Sequence, residues 1–369
     1  MSLDPDVLDR NDAVVRDPQR AALKIIDVDV HPSVKSIADL KPWIPKEHWE
    51  MLKTFGGGSR VPFGYPKAVP DAHRVDARPA DGSVAGSDFD LLREQYLDPL
   101  NIEYAMLSPL RDTGQGLANP DLAISVCRAT NEWLVDHWTA RDKRLKASIV
   151  VPIEQPEEAA REIAHWGQHP DFAQVLLLTR TADPLGRRRY WPIYREAVRQ
   201  GLPVAIHVFG APGHPSTPAG WPSFYVEEMT SHAAACQAMV ASLVIEGLFE
   251  EFPTLNVISL EGGFAWAAPL AWRMDRLYEK FRAEVPHLKL RPSEYLKRNL
   301  YFATQPIEEP PDPRHLLDSV KWLGADRLLF SSDYPHWDFD EPTRAITAAF
   351  GREAQAGILN GNARKVYRL

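Results

Sequence analysis

The stretch Ile25-Ile26-Asp27-Val28-Asp29-Val30-His31-Pro32 sets two acids and a histidine at alternate positions of an apolar run. As a strand of period two, it puts Asp27, Asp29 and His31 on one face and Ile26, Val28 and Val30 on the other. Three potential ligands on one face of an early strand are costly in a core unless something binds them. Carboxylate oxygen and imidazole nitrogen together suit a divalent cation such as zinc, iron or manganese. The competing reading is a surface strand with a solvated acidic face. Further polar residues at matching places along the chain favour the cation.

Those places are the ends of predicted strands. Apolar runs at Lys24 to His31, Ile102 to Ser108, Leu145 to Pro152, Ala173 to Thr179, Leu202 to Val208, Leu255 to Leu260, Asn299 to Thr304 and Arg327 to Ser332 read as eight short strands. Helical patterns follow them at Asp121 to Arg141, Pro156 to Trp166, Tyr190 to Gln200, Ser231 to Phe252, Ala268 to Phe281 and Arg314 to Lys321, with Glu341 to Phe350 and Glu353 to Asn360 after the last strand. Nearly continuous apolar strands are buried on both faces, as in parallel sheets. Eight such units predict an α/β fold, a closed (β/α)8 TIM-type barrel in one domain.

Residues 1–22 form a polar lead-in, and residues 23–369 form the barrel with an insertion of about residues 32–87 after strand 1. The insertion carries Gly56-Gly57-Gly58, many prolines and scattered Trp43, Trp49, Phe55, Phe63 and Tyr65, with no clear long element. An irregular stretch this long points to a functional lid or insertion. A helix from Asp88 to Leu97 follows, with Asp88 as its cap.

In such a barrel the active site lies at the C-terminal ends of the strands. There stand Asp29 and His31 on strand 1, Arg111 and Asp112 beyond strand 2, Thr179-Arg180 on strand 4 and His207 on strand 5. Glu261 precedes Gly262-Gly263 after strand 6, Thr304-Gln305-Pro306 ends strand 7, and Ser331-Ser332-Asp333-Tyr334-Pro335-His336-Trp337-Asp338 ends strand 8. Polar residues gathered at one end of nearly every strand are what a ligand ring at a barrel mouth produces.

The D-x-D-x-H strand, the strand-5 histidine and the S-S-D-Y-P-H-W-D segment resemble the amidohydrolase superfamily. More narrowly, they resemble the amidohydrolase-2 branch, which also contains aminocarboxymuconate semialdehyde decarboxylase and resorcylate decarboxylases. The resemblance runs from strand 1 to the end of the chain. It implies a divalent metal at the mouth, held by Asp29, His31, His207 and Asp333. It also implies that Asp333 takes part in proton transfer. Two departures stand out. Typical members carry H-x-H or E-x-H on strand 1, where this chain has Asp29-x-His31. Many place a histidine at the end of strand 6, where this chain has Glu261. A glutamate there can ligate or bridge metals. With His232 at the start of the helix after strand 5, and His336, there are enough ligands for two ions. Some relatives resemble this arrangement and use a dinuclear iron or mixed-metal centre for oxygen chemistry.

The leading expectation is a metal-dependent hydrolase that attacks a small polar or carboxylated substrate with metal-activated water. The alternatives are a dinuclear iron-containing oxygenase, a non-oxidative decarboxylase, and a non-catalytic subunit of a hetero-oligomer. Asp333, Glu261 and His336 are the expected catalytic residues, and Arg111, Arg180 and Trp337 the expected substrate contacts. Each has a plainer reading. His207 is a core histidine, Asp333 and Glu261 turn residues, His232 an ordinary helix residue, and the arginines rim salt bridges. Trp43, Trp221, Phe224, Tyr225 and Trp337 wall a pocket at the mouth or form a subunit interface. His73 and the other histidines of outer helices and loops are assigned no role.

Composition narrows the partners. The 369 residues carry a net charge of −8 with 25% charged residues and no basic block, which argues against nucleic acid and anionic membrane. No apolar run is long enough to span a bilayer, and Met1 to Arg20 is charged rather than signal-like. Cys127 and Cys236 fall on predicted helices and read as buried thiols in a reducing cytoplasm. The expected partners are a small-molecule substrate and further copies of this chain or a related one.

Overall fold

Every apolar run becomes a strand whose residues are largely buried. In the computed structural model, residues 23–56, 72–210, 215, 217–346 and 350–369 are described. The lead-in 1–22 and the part of the insertion holding Gly57, Gly58, Phe63 and Tyr65 lie outside the described residues.

The strands are β1 (Ile25–Val30), β2 (Ile102–Leu107), β3 (Leu145–Val150), β4 (Phe172–Arg180), β5 (Val204–Gly210), β6 (Val257–Leu260), β7 (Leu300–Ala303) and β8 (Leu328–Leu329). They form one eight-stranded sheet in sequence order, each paired in parallel with the next. The chain beyond β8 runs along β1 and brings the sheet round on itself. Val28 N–H donates to Phe330 O at 3.0 Å, Asp333 N–H to Asp29 O at 3.2 Å, and His31 N–H to Tyr334 O at 2.8 Å. The architecture is the expected (β/α)8 barrel.

Two apolar layers hold it. Ile26, Val28, Met106, Ala205, Ile258 and Leu329 pack together inside the barrel. Ile25, Val30, Leu107, Ile149, Val175 and Phe302 pack outward against the helices. This division corrects the reading of β1. The register between β1 and β2 slips between Asp27 and Val30. One extra residue in a strand reverses the phase of its side chains. Val30 therefore joins Ile25 in the outer layer, and Asp27 does not share a face with Asp29 and His31.

Asp27 instead ties the seam of the barrel. It accepts hydrogen bonds from Ser332 N at 3.1 Å, Ser332 Oγ at 2.5 Å, Asp29 N at 3.0 Å and the Tyr96 hydroxyl. Burial pushes its carboxyl up to about 7, against the pull of these donors.

Three further elements differ from expectation. The insertion has order: a 3-10 turn at Ile37–Trp43 and a helix at Lys46–Phe55, which buries Leu52. The polar residues around that one anchor hide its helical period. Trp43 packs edge-on against His137, with 5.9 Å between ring centroids. The helix after β5 starts at Tyr225 and ends at Ile245, with Glu227 and Glu228 in its first turn. Acids there complement the helix dipole. His232 thus sits inside the helix and not at its start. Asp88 caps its helix as expected, accepting from Asp90 N and Leu91 N. Both cysteines are buried free thiols. Among the described residues no helix is long and apolar enough to cross a membrane.

Candidate metal centre

The β1 bulge delivers Asp29 and His31 to the barrel mouth. His31 Nδ1 lies 2.7 Å from the backbone carbonyl of Ser108, at the end of β2. A carbonyl only accepts, so Nδ1 carries the proton and Nε2 keeps its lone pair for a ligand. That Nε2 lies 2.7 Å from Asp333 Oδ1 and 3.6 Å from Asp29 Oδ1. His207, fully buried on β5, places its Nε2 3.4 Å from Asp29 Oδ2 and 2.8 Å from Glu261 Oε2.

Glu261 directly follows β6 and Asp333 lies in the segment beyond β8, and both hold left-handed backbone, with φ of 52° and 63°. Non-glycine residues visit this region at a cost, and such strain concentrates at functional sites. The surroundings enforce it after β6. A Cβ on Gly262 would fall 2.2 Å from Cys236 Sγ. Glu308 accepts from Phe264 N at 2.9 Å and Ala265 N at 2.7 Å, which pins the turn. After β8, Gln305 Nε2 donates to Asp333 Oδ2 at 3.1 Å, and His336 Nδ1 lies 2.6 Å from Asp333 Oδ1.

Two overlapping donor sets result. Asp29, His31, His207 and Asp333 each offer one atom, all within 4.8 Å of one another. His31, Glu261, Asp333 and His336 form a second set on the same criterion. Ligand bonds of about 2.1 Å bring donors within about 4.2 Å of one another, so a small contraction closes either set around an ion.

The electrostatics agree with a cation. Both Asp29 oxygens are buried, and the imidazoles of His207 and His31 approach them no closer than 3.4 Å and 3.6 Å. Burial alone would lower His31, but Asp29 and Asp333 outweigh it and push it up to about 9. Burial likewise opposes charge on His207, and Asp29 and Glu261 push it up to about 10. His336 and His31 outweigh burial at Asp333 and hold it well below the usual carboxylate range. In each case the carboxylates recruit imidazolium as counter-charge. A divalent ion supplies that charge instead and leaves the imidazoles neutral as ligands. The donor set therefore fits a divalent metal.

The remaining expected residues divide. His232 Nδ1 is 3.7 Å from Glu261 Oε1, adjacent to the centre but in neither donor set. Burial holds it below its ordinary value. Arg180 faces Glu228 at 3.5 Å in a mostly buried pair. Arg111 is exposed at the rim. Trp337 is half exposed and donates from Nε1 to the Tyr225 hydroxyl at 3.2 Å. Gln305 and Asp338 are neighbours of the centre that the sequence reading did not single out for a role. Their signal was position, at the end of β7 and in the segment after β8. Burial, with Asp333 and Glu261 nearby, pushes Asp338 up to about 9.

An eight-stranded α/β barrel with a buried His/Asp cluster at its mouth defines an amidohydrolase-type enzyme. The chain belongs to the amidohydrolase family, in its amidohydrolase-2 branch, whose family model matches residues 26–369. It is 25% identical over 301 residues to a gamma-resorcylate decarboxylase from a Rhizobium species, covering 76% of this chain and 88% of that one. A gamma-resorcylate decarboxylase from a Polaromonas species is 26% identical over 302 residues, covering 75% and 86%. The fold is shared with 2,6-dihydroxybenzoate decarboxylase complexed with 2,6-dihydroxybenzoate, at a TM-score of 0.65 and 20% identity over 94% of this chain and 100% of that one. It is also shared with 5-carboxyvanillate decarboxylase from Novosphingobium aromaticivorans complexed with manganese, at a TM-score of 0.71 and 19% identity over 95% and 97%.

Proposed function

We propose that this protein is a metal-dependent, non-oxidative decarboxylase of a small hydroxylated aromatic carboxylate. The observation that carries the reading is the buried quartet Asp29, His31, His207 and Asp333 at the mouth of a barrel whose relatives are decarboxylases along most of their length. Water attack at the same centre, the leading expectation from sequence, draws no support from the relatives named above.

Asp29, His31, His207 and Asp333 would hold the ion, with manganese the first candidate and zinc and iron the others. A divalent ion there supplies Lewis-acid stabilisation for a carboxylate and its neighbouring phenolate oxygen. The protein's own task is one proton. Loss of carbon dioxide from an aromatic carboxylate leaves the ring carbon to be protonated, so one proton enters as carbon dioxide leaves. The Asp333 Oδ1 and His336 Nδ1 pair, 2.6 Å apart, holds a proton at the mouth. Arg180 is the candidate clamp for a second anionic group of the substrate, and Trp337 with Tyr225 forms an aromatic wall.

A second reading rests on Glu261. It stands where the decarboxylase branch often has histidine, and it belongs to the second donor set with His336. A second ion would draw on Glu261, His336 and Asp333, and two ions with iron among them would suit oxygen activation.

One assay separates the readings. Manganese-loaded protein is incubated without oxygen with carboxyl-13C-labelled 2,6-dihydroxybenzoate and 5-carboxyvanillate. Labelled carbon dioxide with equimolar decarboxylated phenol supports the decarboxylase. Inertness there, with oxygen uptake by iron-loaded protein given a reductant, moves the assignment to the oxygenase.

A further inference from the structure

The insertion contributes more to the site than cover. Its residues Ala72, His73 and Arg74 run antiparallel to the segment after β8 that carries Asp333, His336 and Trp337. Arg74 N–H donates to Pro335 O at 2.9 Å and Trp337 N–H to Ala72 O at 3.0 Å, and an antiparallel bridge pairs His73 with His336. Ala72 holds a φ of 56°, a left-handed conformation alanine adopts only under constraint. Arg74 also meets the same segment through its side chain, its guanidinium 4.5 Å from the centre of the Phe339 ring.

This pairing sets three imidazoles in a column. The His336 ring stacks on His31 at 4.6 Å between centroids and 27° between planes. The His73 ring stacks on the opposite side of His336, at 5.2 Å and 29°. The edge of His336 is taken by Asp333, through Nδ1. His336 is thereby gripped on both faces and one edge. Two of those three grips come from donors of the first quartet, and the third comes from the insertion.

We infer that His73 is a positioning residue. It clamps the outer face of His336 so that Nδ1 stays on Asp333 and the ring stays aligned with His31. The backbone bridge supplies the placement and the flat face of the imidazole supplies the contact. A planar side chain of similar size at this position therefore keeps the function, and a small one loses it. The consequence for metal binding rests on the proposed metal centre, and the positioning does not.

The test uses the full-length protein in two states. Without metal, the Nδ1–H of His336 in its hydrogen bond to Asp333 is observed as a downfield proton resonance, assigned by its loss in His336→Ala. The resonance should persist in His73→Phe and broaden away in His73→Ala. With manganese added, calorimetric affinity should fall about tenfold in His73→Ala, the worth of one stacked pair, and stay within about twofold of the unaltered protein in His73→Phe. On a His336→Ala background, His73→Ala should cost nothing further, because its effect passes through His336. An unchanged resonance in His73→Ala would overturn the inference. So would a His73→Phe variant as impaired as His73→Ala, or a full additional loss in the double variant. A resonance that behaves as expected in a protein that takes up no manganese would keep the clamp and remove the metal centre instead. Should His73→Ala fail to fold by circular dichroism, His73→Leu, which fills the space without a flat face, takes its place with the same expected losses.

Discussion

His31 Nε2 and Asp333 Oδ1 lie 2.7 Å apart across the seam of the barrel, although they come from its first and last strands. The backbone makes the meeting unavoidable, since His31 N–H and Asp333 N–H each donate across that seam. Closing the barrel therefore also brings the candidate metal donors together.

Asp333→Asn should therefore remove the metal while keeping the fold. The amide retains one oxygen for Gln305 but loses the charge that both donor sets share. We expect metal affinity and any turnover to fall at least about 100-fold, beyond the range for losing an outer-shell partner. Elemental analysis beside circular dichroism reads it. A variant that keeps its full complement of metal would exclude Asp333 as a ligand.

Glu261→Ala distinguishes one ion from two. In a mononuclear centre the quartet Asp29, His31, His207 and Asp333 stays whole, and the variant keeps one ion per chain. In a dinuclear centre it loses one of two ions, because Glu261 belongs to the second set. Metal counting on protein purified without added metal gives the answer.

Asp27 predicts a pH dependence of stability. Its folded carboxyl lies at about 7, above its ordinary value of 3.8, chiefly through burial. A carboxyl raised in the folded state favours folding in its protonated form. That contribution is full below about pH 4 and is lost as pH rises through about 7. In metal-free protein the melting temperature should decline between about pH 5 and about pH 8 more steeply than in Asp27→Asn, which cannot titrate. Parallel curves would show that Asp27 does not titrate there. Asp27→Ala, which strands the donors of Ser332 and Tyr96, should cost about 3 kcal/mol at any pH.

Gly262 is needed because Cys236 occupies the space its side chain would take, 2.2 Å from the built Cβ. Gly262→Ala should destabilise by about 1–3 kcal/mol and shift the adjacent Glu261. Gly262→Ala with Cys236→Ala should recover part of that loss, since the sulfur is the nearest obstacle. Urea unfolding of the three variants measures it. An additive pair would mean that the two sites do not clash.

Much of this was legible in the chain itself. Eight apolar runs marked the strands to within a few residues, and the polar residues at their ends marked the mouth. Both are local signals: a strand's period and its direction place Asp29, His31, His207, Glu261 and Asp333 at one end of the barrel. The helix at Lys46–Phe55 escaped because it anchors through little more than Leu52. The start of the Tyr225–Ile245 helix escaped because the preceding stretch is rich in proline and aromatic residues.

What the tertiary structure alone decided lies in the contacts between distant segments. Strict alternation puts Asp27 beside Asp29, and the bulge that parts them arises from pairing with β2, which no single strand records. His73 looked idle because its partner, His336, stands at the far end of the chain, joined to it by a bridge between two irregular segments. Arg180 shows its neighbour Glu228, 3.5 Å away, only once the helix after β5 is folded against it. Residue types and strand polarity dictate which chemistry is possible at the mouth. Register and closure, which depend on neighbours far away in sequence, decide which of those residues meet.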